Sequence, residues 1–284
     1  MTGSRGFAGV VVITMVVAVA PVAVAALDLT ADAVAGWNQY VAALERRRNA
    51  ERPEASRFLA LDFDREAAAN RRALLAGEIV TSAIEGPDGG GHDVEVPDAI
   101  VHHWRGAVFL PRVSLPALMA SLERDAPSTG PDVLRASVVG RGPGTMRLFL
   151  RLQRTRFVTV VYNTEHAVRF AHDGADRASS VSVAVKIAEV ADPGTPREHE
   201  MSAAEDHGYL WRLNAYWRYE TVPGGVIAEC ESISLSRSVP FGLQYLAGPL
   251  IRSAARESME RTLDALRIRA GTVVSDNSVI KPGV

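Results

Sequence analysis

The fold is decided by residues 211–237, WRLNAYWRYETVPGGVIAECESISLSR. Two extended, alternating halves flank Pro-Gly-Gly at 223–225, a combination that predicts a β-hairpin with a tight turn. If residues 222–225 form the loop, Thr221 pairs with Val226, and Arg218 lies directly opposite Glu229. Alternate side chains then point to opposite faces. One face sets large side chains against small ones: Trp211, Leu213, Ala215, Trp217 and Tyr219 against Ala228, Cys230, Ser232 and Ser234.

The other face of the hairpin is polar along most of its length, and two interpretations of it remain open. In the first, it is a solvated surface with a cross-strand ion pair between Arg218 and Glu229, since antiparallel sheets often leave one face in water. In the second, four of its side chains lie inside a pocket and bind the polar end of a ligand. These four are Arg212, Asn214, Tyr216 and Glu231.

Extended patterns also fill the chain before this hairpin. Between residues 134 and 236 they are separated by short turns such as Gly-Pro-Gly at 142–144. Short turns require antiparallel neighbours, because a parallel pair needs a crossover of about a dozen residues. A short helix capped by Ser114 comes before these strands, and a long helix is predicted over residues 243–269. The predicted fold class is therefore α+β, with a curved antiparallel sheet wrapped around a long C-terminal helix.

The predicted C-terminal helix has large apolar residues at both ends of its buried stripe and small ones in the middle, including Ala254 and Ser258. Laid across a curved sheet, such a helix leaves a hollow at its centre, whereas protein interiors otherwise pack with few voids. A hollow lined by Leu, Met and Trp suits a small apolar ligand. The alternative is that large residues of the sheet fill the gap.

Three segments carry a resemblance to a known family: residues 100–111 (IVHHWRGAVFLP), residues 206–220 (DHGYLWRLNAYWRYE) and residues 229–237 (ECESISLSR). With the element order, they resemble the helix-grip fold of the START/Bet v 1-like (SRPBCC) superfamily, in an exported bacterial subfamily. The resemblance covers residues 77–269. It implies a cavity between sheet and helix that holds hydrophobic molecules, and it implies no shared catalytic motif.

The N-terminal region lies outside that pattern. Residues 6–27 contain no charged side chain, and Ala-Val-Ala at 23–25 predicts a signal peptide over residues 1–25 that is cleaved on export. A retained membrane anchor is the alternative. Residues 26–76 are predicted to form a helical extension, with helices at 29–51 and 64–76. Residues 77–269 form the predicted helix-grip domain, and residues 270–284 a flexible tail.

Composition restricts the chemistry. The 284 residues carry 31 basic and 33 acidic side chains, so the chain shows no electrostatic sign of nucleic-acid binding. Cys230 is the single cysteine, which excludes an intrachain disulfide and a multi-cysteine metal site. The histidines are spread along the chain without the spacing of zinc-hydrolase motifs. We therefore expect no metal, no cofactor and no catalytic residue.

The sequence thus predicts a secreted or periplasmic, monomeric protein that binds a hydrophobic small molecule or lipid, with peripheral membrane contact. One alternative is a cyclase- or dehydratase-like enzyme that uses Tyr162, His166 or Glu231 as its acid or base. Another is an envelope interaction module whose N-terminal helices close the cavity. The predicted ligand-binding residues are Trp211, Arg212, Asn214, Tyr216, Glu231, Tyr162, His166, Ala254 and Ser258.

Overall fold

The computed structural model describes residues 29–52, 54, 56–88, 94–155, 159–238 and 244–279, and within the last helix the side chains of residues 255–274. The helices are α1 (Ala31–Glu51), a 3-10 helix (Ala60–Phe63), α2 (Ala67–Leu75), α3 (Leu115–Arg124) and α4 (Gln244–Val279). The strands are β1 (Val80–Ala83), β2 (Ala99–Pro111), β3 (Val133–Gly142), β4 (Thr145–Thr155), β5 (Thr159–His172), β6 (Arg177–Ala191), β7 (His199–Glu200), β8 (Arg212–Val222) and β9 (Gly225–Arg237).

All nine strands form one antiparallel sheet in the order β1-β2-β9-β8-β6-β5-β4-β3, with β7 paired to β6. The hairpin of β8 and β9 has the predicted register, because Thr221 pairs with Val226 and Arg218 with Glu229. The sheet and the long C-terminal helix confirm the predicted α+β helix-grip class.

One side of the sheet, here called the inner face, packs against α3 and α4. Met259, Leu263 and Leu266 of α4 are buried there against β2, β8 and β9. Gly106 of β2 allows this close approach, since a Cβ atom at this position would lie 2.7 Å from Leu263 Cδ1. Burial of these apolar side chains holds the long helix to the sheet.

The opposite side, here called the outer face, is covered by the N-terminal helices. Thr30 caps α1 by accepting a hydrogen bond from the Ala33 amide, 3.1 Å away. Trp37, Tyr40 and Leu44 of α1 then pack against side chains of β8 and β9. The 3-10 helix and α2 extend this layer over β2 and the end of the hairpin. Among the described residues the protein therefore has three layers, helices–sheet–helices.

This arrangement corrects the first interpretation of the polar hairpin face. That face is the outer one, and Arg218, Glu229 and Glu231 on it are at most 3% exposed, so it is not a solvated surface. Local sequence does not predict this burial, because the N-terminal helices that cover the face lie outside the helix-grip pattern and far from the hairpin in the chain.

The C-terminal helix also differs from its prediction. It continues to Val279, well past residue 269, because Ala270, Val273 and Val274 still pack on the inner-face core. Residues 270–279 are thus helical where a flexible tail was predicted. Within this helix, Met259, Leu263 and Leu266 are buried, whereas Thr262 is exposed. None of the helices in the described chain is long and apolar enough to cross a membrane.

Two helical glycines provide a test of how α1 docks. A Cβ at Gly36 of α1 would lie 2.6 Å from the backbone oxygen of Glu95, while a Cβ at Gly271 of α4 would meet nothing within 4 Å. Alanine favours a helix by about 1 kcal/mol over glycine. We expect Gly271→Ala to raise the free energy of unfolding, and Gly36→Ala to lower it by about 1–3 kcal/mol because of overpacking. Denaturant unfolding measures both changes, and a stabilised Gly36→Ala variant would contradict the docking of α1.

Candidate functional site

The outer face contains a buried carboxylate, Glu231 of β9, at the centre of a charged cluster. Arg47 and Arg48 of α1 both donate hydrogen bonds to it, Arg48 Nη1 at 3.1 Å from Glu231 Oε2. His103 of β2 lies between the Tyr40 hydroxyl, 2.8 Å from its Nδ1, and Glu231 Oε1, 2.7 Å from its Nε2. Burial would raise the pKa of Glu231, but the hydrogen bond with His103 and the charge of Arg47 hold it well below its usual range.

A second carboxylate, Glu229, binds the start of the 3-10 helix. Its two oxygens accept hydrogen bonds from the backbone amides of Ala60 and Leu61 at 2.7 and 2.8 Å. Its register partner Arg218 donates instead to Glu51 of α1, at 2.7 Å, and to the Phe58 carbonyl oxygen. The predicted ion pair across the strands is thus replaced by hydrogen bonds from both side chains to the N-terminal segment.

The remaining predicted residues of the hairpin also lie at the outer face. Asn214 Nδ2 donates to the Tyr216 hydroxyl at 3.2 Å, and that hydroxyl lies 3.3 Å from Glu45 Oε1 of α1. Trp211 packs with the α1 cluster, where the register had placed it on the other face, because it precedes β8 at a bend. Arg212 is half-buried and donates to the Trp211 carbonyl oxygen.

The predicted ligand-binding residues therefore fall into two groups on opposite faces of the sheet. Those of the hairpin lie on the outer face, and those of β5 lie on the inner face. Tyr162 and His166 share the inner face with Phe170, which packs against the α4 core. The structure does not bring the two groups together around one cavity. Ser258 of α4 is half-buried, and the Ala254 side chain lies outside the described residues.

His166 is buried, and both of its ring nitrogens have hydroxyl partners. Its Nε2 is 3.0 Å from the Thr164 hydroxyl, and its Nδ1 is 3.3 Å from the Ser182 hydroxyl. Since the Thr164 hydroxyl donates to the Leu150 carbonyl oxygen, the consistent arrangement has the proton on Nε2 and Ser182 donating to Nδ1. Burial lowers the pKa of His166 to about 4, so the ring is neutral at physiological pH.

Tyr162, four residues earlier on the same face of β5, has a different environment. Its side chain is 2% exposed, and its hydroxyl has no hydrogen-bond partner among the described residues. A buried hydroxyl without a partner is costly, by about 1–3 kcal/mol. Tyr162 is one of the predicted ligand-binding residues, but no local sequence pattern could show that its hydroxyl lacks a partner among the described residues.

A row of small side chains crosses the inner face beside these residues. Ser182 of β6 pairs with Ala215 of β8, and Ala215 pairs with Ser232 of β9. Ser232 pairs in turn with Trp104 of β2, a large side chain at the end of this row. All four are half-buried, although they lie on interior strands of the sheet. The described contact of α4 with β2 is made at Gly106, the next inner-facing position after Trp104. Three of the four side chains in this row are small, where the core of a packed sheet usually has large ones.

The described residues contain no group of three or more His, Cys, Asp or Glu side chains placed to hold a metal ion. Cys230 is buried among apolar side chains, and burial raises the pKa of its thiol far above the usual value. A thiol in this state is a poor nucleophile.

No protein-family model matches the chain, and no curated protein matches it. Zhui, an aromatase/cyclase from a Streptomyces species, is a similar structure with 11% identity and a TM-score of 0.38, covering 61% of this chain and 94% of its own. A START superfamily protein from Mycobacterium smegmatis has 11% identity and a TM-score of 0.36, covering 62% and 98%. The lipid transfer and protein localization domain of human StarD13 has 12% identity and a TM-score of 0.37, covering 72% and 96%.

Structures of the START superfamily, which the sequence resembles, are therefore among those to which the chain is similar. At such identities and TM-scores, these similarities say nothing about what the chain binds. The fold class rests instead on its own sheet order and on the position of α4.

The buried cluster predicts the effect of removing one negative charge. Glu231→Gln would leave Arg47, Arg48 and His103 around a neutral amide, and breaking a buried ion pair in this way costs about 3–5 kcal/mol. We expect a loss of this size in denaturant unfolding, together with faster proteolysis within α1. The matched control is Glu165→Gln, which removes an exposed pair with Arg147 and should change stability by less than about 1 kcal/mol. Equal effects of the two substitutions would contradict the buried cluster.

The neutral His166 predicts a pH dependence of stability. Its pKa of about 4 in the folded protein is below its unfolded value near 6.5, so the unfolded chain binds more protons between these values. The neutral His166 ring therefore contributes fully to the free energy of unfolding above pH ~6.5. This contribution is lost as the pH falls towards ~4, and the loss is roughly 2 to 3 kcal/mol at pH ~4.5. We expect His166→Gln to flatten the dependence, measured by unfolding at each pH. His199→Gln, at an exposed position, should leave the wild-type slope, and an unchanged slope in His166→Gln would disprove the assignment.

Proposed function

We propose that this protein is an exported binding protein that holds an apolar small molecule or lipid between the inner face of the sheet and α4, and does not transform it. The observation that carries the proposal is the half-buried row of Ser182, Ala215 and Ser232 across three interior strands. Small residues at the middle of a sheet gripped by a helix make room where a tightly packed core would place large ones.

The composition of the inner face suits an apolar guest. Trp104 lies at the end of the row of small residues, and Trp217 lies next to the row. Both side chains are partly buried against the core formed with α4. Aromatic side chains offer large apolar contact area, and a ligand that covers them gains about 25 cal/mol for each Å² removed from water.

The position of the N-terminal helices supports an accessible site. They pack on the outer face, so α1, the 3-10 helix and α2 do not enter the space between the sheet and α4. The alternative of an envelope interaction module, in which these helices close the cavity, therefore has no support from the contacts of the described residues.

Binding without chemistry is supported by the state of the candidate acid–base groups. His166 is neutral, and hydroxyl groups occupy both of its nitrogens. Glu231 lies on the outer face, where it is bound by two arginines. Neither group has the near-neutral pKa and free access to a substrate that general acid–base catalysis requires.

Export rests on the sequence alone. The uncharged segment 6–27 and the Ala-Val-Ala at 23–25 support a cleaved signal peptide, and they lie outside the described residues. A monomer and a peripheral contact with the membrane belong to the same proposal. Comparing the N-terminal residue of the exported protein with that of the cytoplasmic precursor would test the cleavage.

The binding site is tested by filling the row of small residues. Ala215→Leu places a larger side chain in the proposed space, and we expect it to weaken binding of the uncharged fluorophore phenylnaphthylamine by at least about tenfold, or about 1.4 kcal/mol. Fluorescence titration measures the affinity. The matched control, Ala167→Leu, makes the same change at an exposed position of β5 and should bind as the wild type does.

Native mass spectrometry of the purified mature protein adds a readout without a probe. A co-purifying lipid or apolar molecule that is lost in Ala215→Leu supports the proposal. No bound molecule, with no binding of the fluorophore, would contradict it.

A further inference from the structure

We propose that the ligand is a long-chain molecule with an uncharged polar end, such as a hydroxyl or carbonyl group, which pairs with the Tyr162 hydroxyl. This inference rests on the proposed function, because it concerns the same inner face. It begins from the one buried hydroxyl there that the described residues leave without a partner.

The neighbouring polar groups of β5 already have partners. Thr164 donates to the Leu150 carbonyl oxygen, and His166 lies between the hydroxyls of Thr164 and Ser182. Because these hydrogen bonds are made within the protein, Thr164 and His166 do not require a ligand. Tyr162 differs from them, since it is just as buried and its hydroxyl is unpaired.

The charged groups around Tyr162 are also paired with one another. Glu189, which is buried, accepts hydrogen bonds from the His207 backbone amide at 3.1 Å and from the His207 ring at 2.7 Å. Asp132 lies 2.8 Å from Arg261 Nε and 3.7 Å from Arg154 Nη1. Glu189 and Asp132 thus already have hydrogen-bond or ion-pair partners among the described residues.

Two carboxylates, Glu189 and Asp206, and one guanidinium, Arg154, act on the Tyr162 phenol, so negative charge predominates at this end and disfavours an anion. Burial and then the negative charge of Glu189 raise the pKa of the Tyr162 phenol far above its usual value, so the group stays a protonated donor. A carboxylate brought against it would lose its hydration and meet the charge of Glu189, whereas a hydroxyl or carbonyl oxygen would lose little.

The distance along the sheet gives the length of the ligand. Val168 on β5 pairs with Ser182, so the row of small residues meets β5 six residues from Tyr162, a span of about 20 Å along a strand. Beside this span, β4 presents an apolar track to the inner face, in which Leu152 pairs with Tyr162, Leu150 with Thr164 and Leu148 with His166. A chain that reaches from Tyr162 to the row would lie along these leucines.

The test uses two ligands that differ only in their polar end, tetradecanol and tetradecanoate, each displacing phenylnaphthylamine at a pH where the acid is ionised. We expect the alcohol to bind the wild-type protein at least about tenfold more tightly than the acid. Tyr162→Phe removes the hydroxyl alone and should weaken binding of the alcohol by about three- to tenfold, the value of one hydrogen bond, with little effect on the acid.

The control variant is Tyr209→Phe, which removes a phenol hydroxyl from a tyrosine that is half exposed, and it should bind both ligands as the wild type does. Equal or tighter binding of the acid, or an unchanged affinity of Tyr162→Phe for the alcohol, would overturn the inference while leaving the proposed function intact. If neither the fluorophore nor either ligand binds the wild-type protein, the proposed function itself fails.

Discussion

The β8–β9 hairpin packs against helices on both of its faces, and the rest of the structure depends on this arrangement. The part of its inner face near the turn is buried by α4, through Met259, Leu263 and Leu266, while Ala215 and Ser232 are half-buried. Its outer face holds two carboxylates that are at most 1% exposed, Glu229 and Glu231. Buried charges are stable only when they are paired and hydrogen-bonded. A helix that supplies arginines and backbone amides is therefore required on the outer side, and the N-terminal segment supplies both.

The pairing on the outer face gives the N-terminal segment a definite position as well as stability. Buried ion pairs contribute little net free energy compared with apolar packing, but removal of one partner is costly. Together, Glu231 and Glu229 contact three separate parts of the chain, namely α1, β2 and the 3-10 helix. A displaced α1 would leave several charges unpaired at once, so this network favours a single docking arrangement.

The docking of the N-terminal helices on the outer face leaves the inner face to α3 and α4. Since the N-terminal helices are fixed to the opposite side of the sheet, the inner face is contacted by α3 and α4, and not by α1, in the described part of the chain. The row of small residues and the unpaired Tyr162 hydroxyl both lie on this inner face, and they are the two features that a packed, purely structural core would not require.

The sequence by itself determined the antiparallel sheet, the register of the hairpin and the division of its side chains into two faces, because turn residues and a period of two are local signals. It also selected Tyr162 and His166. Only the tertiary structure decided that α1 covers the polar face, so Arg212, Asn214, Tyr216 and Glu231 lie on the side of the sheet opposite α4. Similarly, the helix continues beyond residue 269 because Ala270 and Val273 meet an apolar core formed by distant strands. Which face a helix covers depends on contacts between residues more than a hundred positions apart, as between Arg48 and Glu231, and no local pattern records such contacts.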